Sequence, residues 1–252
     1  MSSGNKTVIA FDLYGTLLST ESIAKELATH FGDEKAQSIA ALWRRYQLEY
    51  TWRMNSMGLY KPFSEITNTS LRHALDEHSL SLSDADTSKL MKAYDSLGTF
   101  PDVPPALKTL ARTPQSTPTF SPTAQTPWSR RLVTVEEVEA YKPHPKVYAH
   151  LAERVGKRGP GDRGDIWLVS GNPFDVVGAR AAGMQAAWVD RAGGHHGKGG
   201  WTDKLGELAS GGPTVVVHGV DEAVNEIQRW TKDNGGKSGA GLNNEAAALG
   251  PG

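Results

Sequence analysis

The chain has 252 residues, of which 38% are hydrophobic and 22% charged, so it is long enough for one large domain or a core domain with an insertion. A formal net charge of -1 gives no electrostatic case for binding nucleic acid or an anionic membrane. The absence of cysteine excludes disulfides, thiolate nucleophiles and cysteine zinc sites, and it fits a reducing compartment, so we expect a cytoplasmic protein. The apolar stretch near the N-terminus is too short for a signal peptide or a membrane span.

The first predicted element is a buried strand over residues 8–11, a short run of β-branched and aromatic residues. Asp12 follows where the apolar run stops, and Gly15 then allows a sharp turn. Open α/β sheets place their chemistry at the carboxyl ends of buried strands, which makes Asp12 a candidate catalytic carboxylate. An isolated aspartate there is more often a cap for the next turn or helix, so the assignment depends on partner residues elsewhere.

A block of helical periodicity follows, and it contains no convincing strand. The predicted helices cover residues 22–30, 34–54, 62–78 and 83–94. A helical block inserted directly after the first strand of an α/β domain is best interpreted as a cap over the strand ends. We therefore predict a cap domain of residues 19–97 and an α/β core domain of residues 1–18 and 98–232.

The second half of the chain alternates strands with helices. Apolar runs predict strands over residues 165–170, 186–189 and 214–218, and residues 131–135 are either a strand or the lead-in to a helix over 136–140. Amphipathic patterns predict helices over residues 105–110, 145–155, 175–182 and 220–230. This alternation predicts a doubly wound parallel sheet with its active site at the carboxyl strand ends.

Two segments do not fit the alternating pattern. Residues 113–127 contain four prolines where a buried strand is expected, so their composition predicts a loop. The tail, residues 233–252, consists largely of Gly, Asn, Ala and Lys and is predicted to be disordered.

Polar residues in three places are candidates for chemistry: Asp12 to Thr16, Tyr141 to Pro145, and Ser170 to Asp175. Each has an ordinary structural interpretation, as a solvated lysine, a turn or a helix cap. Taken together, they resemble the haloacid dehalogenase superfamily, and within it the type II L-2-haloacid dehalogenases. The resemblance covers residues 7–230 and implies a Rossmann-like α/β core with an inserted helical cap.

The opening motif separates two branches of that superfamily. Phosphatase members have Asp-x-Asp-x-Thr, whereas this chain has Asp12-Leu13-Tyr14-Gly15-Thr16, which is the dehalogenase form. The second aspartate of the phosphatases protonates a poor leaving oxygen, but a halide leaves without a proton. The cluster of Ser170, Asn172 and Asp175 also carries little negative charge for a hard cation. The resemblance therefore implies neither a metal nor any other cofactor.

The resemblance implies a hydrolysis in two steps. Asp12 attacks the carbon that bears the halogen of a short 2-haloalkanoic acid, and water then hydrolyses the aspartyl ester to release a 2-hydroxy acid. Lys142 keeps Asp12 ionised, and Asp175 is the favoured base for the water, with Lys142 as the other candidate. The partners implied are the small haloacid and water, and a homodimer is left open.

The other site residues implied by the resemblance surround Asp12 and are Tyr14, Thr16, Tyr148, Ser170 and Asn172. Arg44 lies in a stretch that resembles the family's Trp-Arg-x-x-Gln-Leu-Glu-Tyr-Thr-Trp and corresponds to the arginine that meets the departing halide. A guanidinium suits this role because it stays charged and is weakly hydrated.

The family's second motif has no clear match. It is an apolar strand ending in Ser-Asn-Gly, whose serine and asparagine bind the substrate carboxylate and the halide. The only candidate is Ser121, and Pro122 replaces the asparagine with a residue that has no amide side chain and no N–H. Ser121 lies 21 positions before Lys142, too few for the usual helix and strand. We therefore expect that a central strand and half of the anion pocket are missing.

Two alternative functions remain open from the sequence. One is a Mg²⁺-dependent small-molecule phosphatase of the same superfamily, against which Tyr14 argues. The other is a catalytically impaired relic that lacks the second motif.

Overall fold

The computed structural model describes residues 7–94, 96–112, 132–193, 203–235 and 245–249. Within them, six parallel strands form one sheet in the order β2-β6-β1-β3-β4-β5. The strands are β1 (Val8–Asp12), β2 (Leu132–Val133), β3 (Ile166–Ser170), β4 (Gln185–Val189), β5 (Val215–Val217) and β6 (Glu245–Leu249). The predicted α/β fold with a parallel sheet is confirmed.

Helices cover both faces of this sheet and form a separate layer near its carboxyl edge. They are α1 (Glu21–Phe31), α2 (Asp33–Met57), α3 (Phe63–Glu77), α4 (Asp84–Tyr94), α5 (Val103–Arg112), α6 (Pro145–Arg154), α7 (Pro173–Ala181), α8 (Leu205–Ala209) and α9 (Val220–Gly235). Two 3₁₀ turns, Val135–Val138 and Pro160–Asp165, precede α6 and β3. None of the helices in the described part of the chain combines the length and apolar character needed to span a bilayer.

Strand β3 is apolar on both of its faces because both are buried. Its side chains alternate, so that Ile166 and Leu168 join one core cluster and Trp167 and Val169 join another. The first cluster includes residues of α6 and α7, and the second includes residues of α5 and α9. Because helices cover both faces, the strand reads as a continuous hydrophobic run.

Helices α1 to α4 pack around a core of their own, which we call the helical insertion and which lies between β1 and α5. Its buried residues are Ile23, Leu27, Ala36, Ile39, Trp43, Tyr46, Leu71, Ala74, Leu75, Leu90 and Tyr94. The two chain segments that join it to the core run antiparallel, since Ser19 donates its N–H to the Gly98 carbonyl at 2.9 Å and Leu18 bridges Thr99. The chain therefore leaves the core for the insertion and returns to the core at the same place.

The C-terminal segment differs from the predicted disordered tail. Residues 233–235 belong to α9, and Glu245–Leu249 form β6, which lies between β1 and β2. Ala-rich composition does not exclude a strand when both neighbours supply hydrogen-bond partners. The sheet therefore has a strand, β6, between β1 and β2, whereas the sequence predicted that a central strand would be missing. The loop expected over residues 113–127 lies outside the described residues.

The place of β6 in the sheet predicts a strong effect of proline in the tail. Ala247 lies opposite Ala10 of β1, and Pro at this position would remove a ladder N–H from an interior strand. We expect Ala247→Pro to cost about 1–3 kcal/mol, because a buried acceptor loses its partner, and to lower Tm by roughly 2–12 °C in thermal unfolding monitored by circular dichroism. Ala247→Ser keeps the N–H and is the matched control. Equal Tm values for the two variants would contradict the strand assignment.

Candidate active site

The nucleophile candidate lies on a tight turn at the carboxyl end of β1. Gly15 has φ +78°, a left-handed conformation that favours glycine, and its N–H donates to the Leu18 carbonyl at 2.8 Å. The loop after β3 approaches this turn so closely that a Cβ on Gly171 would lie 2.5 Å from the Gly15 carbonyl oxygen. Asp12 and the loop after β3 are therefore brought together by backbone contact.

Asp12 is buried and accepts hydrogen bonds on both carboxylate oxygens. Its Oδ2 accepts from the Thr16 hydroxyl at 2.6 Å, the Asn172 amide at 2.8 Å and the Ser170 hydroxyl at 3.3 Å. Its Oδ1 accepts from the Lys142 ammonium at 2.7 Å. The carboxylate is thus held in one orientation at the carboxyl ends of β1 and β3.

Lys142 lies between two buried carboxylates. Its ammonium is 2.7 Å from Asp12 Oδ1 and 2.9 Å from Asp175 Oδ2, and the lysine side chain is 1% exposed. The other oxygen of Asp175 accepts from the Tyr148 hydroxyl at 2.8 Å. Most lysines lie on the protein surface in contact with water, whereas Lys142 is buried and pairs with two carboxylates.

The charges of this cluster shift the pKa values of its members. Burial acts to raise the pKa of Asp12, but the Lys142 charge and hydrogen bonds from Lys142 and Thr16 outweigh it and hold the pKa below its ordinary value. Burial likewise acts to lower the pKa of Lys142, but Asp12 and Asp175 outweigh it, and the ammonium stays charged. Asp12 is therefore an ionised carboxylate at neutral pH, as a nucleophile requires.

The pKa of Asp175 is shifted in the opposite direction, above its ordinary value. Burial raises its pKa, and the nearby charge of Lys142 offsets this only in part. Burial also raises the pKa of Tyr148 well above its ordinary value, so its hydroxyl remains a proton donor toward Asp175. Two carboxylates on the same lysine thus have pKa values pushed apart, which is the pattern of a nucleophile beside a base.

Arg44 of α2 reaches the core from the helical insertion. Its guanidinium donates to the Asn172 side-chain oxygen at 3.3 Å and to the Gln47 side-chain oxygen at 3.0 Å. Tyr94 also donates to that Gln47 oxygen, at 3.3 Å, so α2 and α4 together orient the arginine. The half-buried Arg44 side chain thus lies next to an amide that itself bonds Asp12.

The remaining predicted residues fall in two groups. Tyr14 is half-buried and its ring lies 5.8 Å from Phe63 and 5.7 Å from Tyr94, so it packs beneath the helical insertion. Ser121 lies outside the described residues. In the described chain, no group of three His, Asp or Glu side chains is arranged to hold a metal ion, and the carboxylates of Asp12 and Asp175 both bond the lysine between them.

Asn55 supports the site, although no sequence pattern predicted it. Asn55 at the end of α2 accepts from the Tyr141 N–H at 2.8 Å and donates to the Tyr141 carbonyl at 2.6 Å. The asparagine amide therefore pairs with the backbone next to Lys142 as another peptide group would. An asparagine near a helix C-terminus has many ordinary roles, so only its tertiary partner distinguishes this one.

These features define a class of protein. The family model for haloacid dehalogenase-like hydrolases matches residues 6–183, and the chain belongs to that family.

Known proteins with similar sequences narrow the comparison further. The chain is 34% identical to haloacetate dehalogenase H-2 of Moraxella sp. (strain B) and to an (S)-2-haloacid dehalogenase of Pseudomonas sp. (strain YL), in each case over 73% of this chain. The alignments cover 86% and 83% of those proteins. The solved structure of L-2-haloacid dehalogenase RSc1362 superimposes with a TM-score of 0.74 at 25% identity, over 89% of this chain and 99% of that one. The predicted resemblance is confirmed.

The buried lysine predicts a pH-dependent loss of stability. Lys142→Met would leave Asp12 and Asp175 buried without a cation, and we expect it to lower the free energy of unfolding at pH 7 by about 3–5 kcal/mol. Burial and mutual repulsion would raise the pKa of both carboxyls in the folded variant above their unfolded values. The deficit should therefore be largest near neutral pH and shrink as the pH falls toward the unfolded Asp pKa of about 3.9.

Urea unfolding followed at several pH values measures this deficit. Lys89→Met is the matched control, because Lys89 also forms an ion pair, with Asp86 at 3.2 Å, but on the surface. The control should leave stability almost unchanged at every pH. A Lys142→Met deficit that grows as the pH falls would contradict the assigned charges.

Proposed function

We propose that this protein hydrolyses short 2-haloalkanoic acids to 2-hydroxy acids through an ester on Asp12. The observation that carries the proposal is the buried Asp12 carboxylate, kept ionised by Lys142 at 2.7 Å and oriented by Thr16 and Asn172. A fixed carboxylate needs no activation to displace a good leaving group from carbon. The names of the similar proteins, haloacetate and 2-haloacid dehalogenases, support this substrate class.

In the first step, an oxygen of Asp12 attacks C2 of the substrate from the side opposite the halogen. The new C–O bond forms as the C–halogen bond breaks, and the halide leaves with the bonding electrons. No proton is transferred, which agrees with Tyr14 at the position where phosphatases carry a second aspartate. Arg44, a charged and weakly hydrated guanidinium, is our candidate to meet the departing halide.

In the second step, water attacks Cγ of the Asp12 ester and Asp175 accepts the proton. The raised pKa of Asp175 makes it a stronger base than an ordinary aspartate, and Tyr148 fixes its orientation. The bond between Cγ and the ester oxygen then breaks, and the departing alkoxide takes the proton from Asp175, so the 2-hydroxy acid leaves with an oxygen that began on Asp12. The Asp12 carboxyl releases its own proton to solvent and becomes a carboxylate again. Lys142 offsets negative charge as the Asp12 carboxylate forms again.

We also propose that the helical insertion acts as a cap domain, residues 19–97, over the predicted core of residues 1–18 and 98–232, to which the end of α9 and strand β6 also belong. Arg44 on the insertion side and Asn172 on the core side support this division, because they meet at the site. The proposed reaction uses neither a metal nor another cofactor. The cytoplasmic location and a homodimer stay predictions from the sequence.

The proposal predicts release of halide from L-2-chloropropionate that is unaffected by EDTA. Halide formation and p-nitrophenyl phosphate hydrolysis, each measured with EDTA and with added Mg²⁺, separate the possible functions. Phosphate release that requires Mg²⁺, without halide release, would indicate the phosphatase. Inactivity in both assays would indicate the impaired relic.

The role of Asp12 has its own test. We expect Asp12→Asn to reduce halide release at least about a thousandfold, because the amide oxygen is a poor nucleophile. Asp76→Asn, which changes an exposed aspartate in α3, is the matched control and should retain full activity.

The order of bond making can be measured with labelled water. In a single turnover in H₂¹⁸O with enzyme in excess, the label should enter Asp12 and be absent from the new hydroxyl of the product. Label in the product hydroxyl after one turnover would show that water attacks C2 directly and that Asp12 acts as a base.

A further inference from the structure

Arg191 follows β4 and reaches the turn that carries the nucleophile. Its guanidinium donates to the Thr16 carbonyl at 2.8 Å. The same group forms two bonds with Asp102, to Oδ1 at 2.8 Å and to Oδ2 at 2.9 Å, and it lies 3.8 Å from the centre of the Phe100 ring. A planar guanidinium can make this paired contact and the stacking contact at the same time.

Asp102 anchors the arginine to the core. Its Oδ2 also accepts from the Val220 N–H at the start of α9, at 2.6 Å. The side chains of Arg191 and Asp102 are only 23% and 17% exposed, so solvent weakens this pair less than it would a surface ion pair. Arg191 is therefore held in place before it contacts Thr16.

Thr16 connects Arg191 to the Asp12 carboxylate. Its hydroxyl donates to Asp12 Oδ2 at 2.6 Å and accepts from the Gly171 N–H at 2.7 Å. Its side chain is fully buried and therefore cannot exchange these partners for water. A shift of the Thr16 backbone would lengthen the hydrogen bond that orients Asp12.

The same contacts lie at the base of the helical insertion. Thr16 lies just before the outgoing segment and Phe100 just after the returning one, and the Phe100 N–H donates to the Leu17 carbonyl at 3.1 Å. Arg191 touches both sides of this junction through Thr16 and Phe100. One side chain thus links the nucleophile turn to the point where the insertion joins the core.

We propose that Arg191, held by Asp102, is a positioning residue that sets the place of Thr16, and through it of Asp12, relative to the helical insertion. It touches neither the substrate nor the reacting atoms and acts through Thr16. Its effect on turnover rests on the proposed dehalogenase function, whereas its effect on Asp12 does not.

The decisive measurement is the titration of Asp12 by carbon-13 NMR of carboxyl-labelled protein, with the Asp12 signal assigned from Asp12→Asn. Arg191→Lys keeps the positive charge beside Asp102, but an ammonium has no fork to hold both Asp102 and Thr16. We expect the pKa of Asp12 to rise in Arg191→Lys and Arg191→Met because the Thr16 hydrogen bond weakens. Lys142 and Arg44, whose charges lower the pKa of Asp12, are unchanged in these variants.

Arg180→Met is the matched control. Arg180 is also half-buried and donates to a backbone carbonyl, that of Met184 at 3.0 Å, but at the amino end of β4. It should leave the Asp12 titration unchanged, even if Tm falls. In a Thr16→Val background, Arg191→Lys should cause no further shift, because the transmitting hydroxyl is absent.

Turnover provides the second readout. With L-2-chloropropionate we expect Arg191→Lys to lower kcat about tenfold or more while KM changes less than about twofold. An unchanged Asp12 titration in Arg191→Lys, or an equal shift in the Thr16→Val background, would overturn the proposal. If the wild-type protein releases no halide, the proposed function fails and the NMR result still decides the role of Arg191.

Discussion

The structure depends on a buried ion cluster in which the Lys142 ammonium lies between the Asp12 and Asp175 carboxylates. An ammonium group away from water is stable only when its charge is paired and its protons are bonded. Lys142 meets this requirement through Asp12 at the end of β1 and Asp175 at the start of α7. Three segments far apart in the chain must therefore meet at one point, and the carboxyl edge of the sheet is where parallel strands allow it.

The same pairing places two aspartates in environments that shift their pKa values in opposite directions. Asp12 accepts from Thr16, Ser170 and Asn172 in addition to Lys142, and its pKa stays below the ordinary value. Asp175 accepts from Lys142 and Tyr148, and burial raises its pKa. Thr16 and Tyr148 assist one carboxylate each. An ionised carboxylate and a carboxylate of raised pKa thus lie on either side of one lysine, which is the arrangement that the proposed two-step hydrolysis needs.

The helical insertion and the C-terminal strand β6 also support this arrangement. The insertion contributes Arg44 above Asn172 and, through Asn55, supports the backbone beside Lys142. Arg191 lies at the base of the insertion and contacts the Thr16 turn. Strand β6 pairs with the whole length of β1, so the C-terminal segment supports the strand that carries Asp12.

The sequence by itself determined the parallel α/β fold, the helical insertion and most of the site, because apolar periodicity and short motifs are local properties. Asp12, Lys142 and Asp175 were predicted to lie together because their motifs resemble those of the dehalogenase family, and the structure brings them within hydrogen-bonding distance. The tail that contains β6 was predicted to be disordered because it consists largely of Gly, Asn, Ala and Lys. Only the tertiary structure decided its place, as it did the partners of Arg191, because unpaired backbone edges and ion pairs are satisfied by residues distant in sequence.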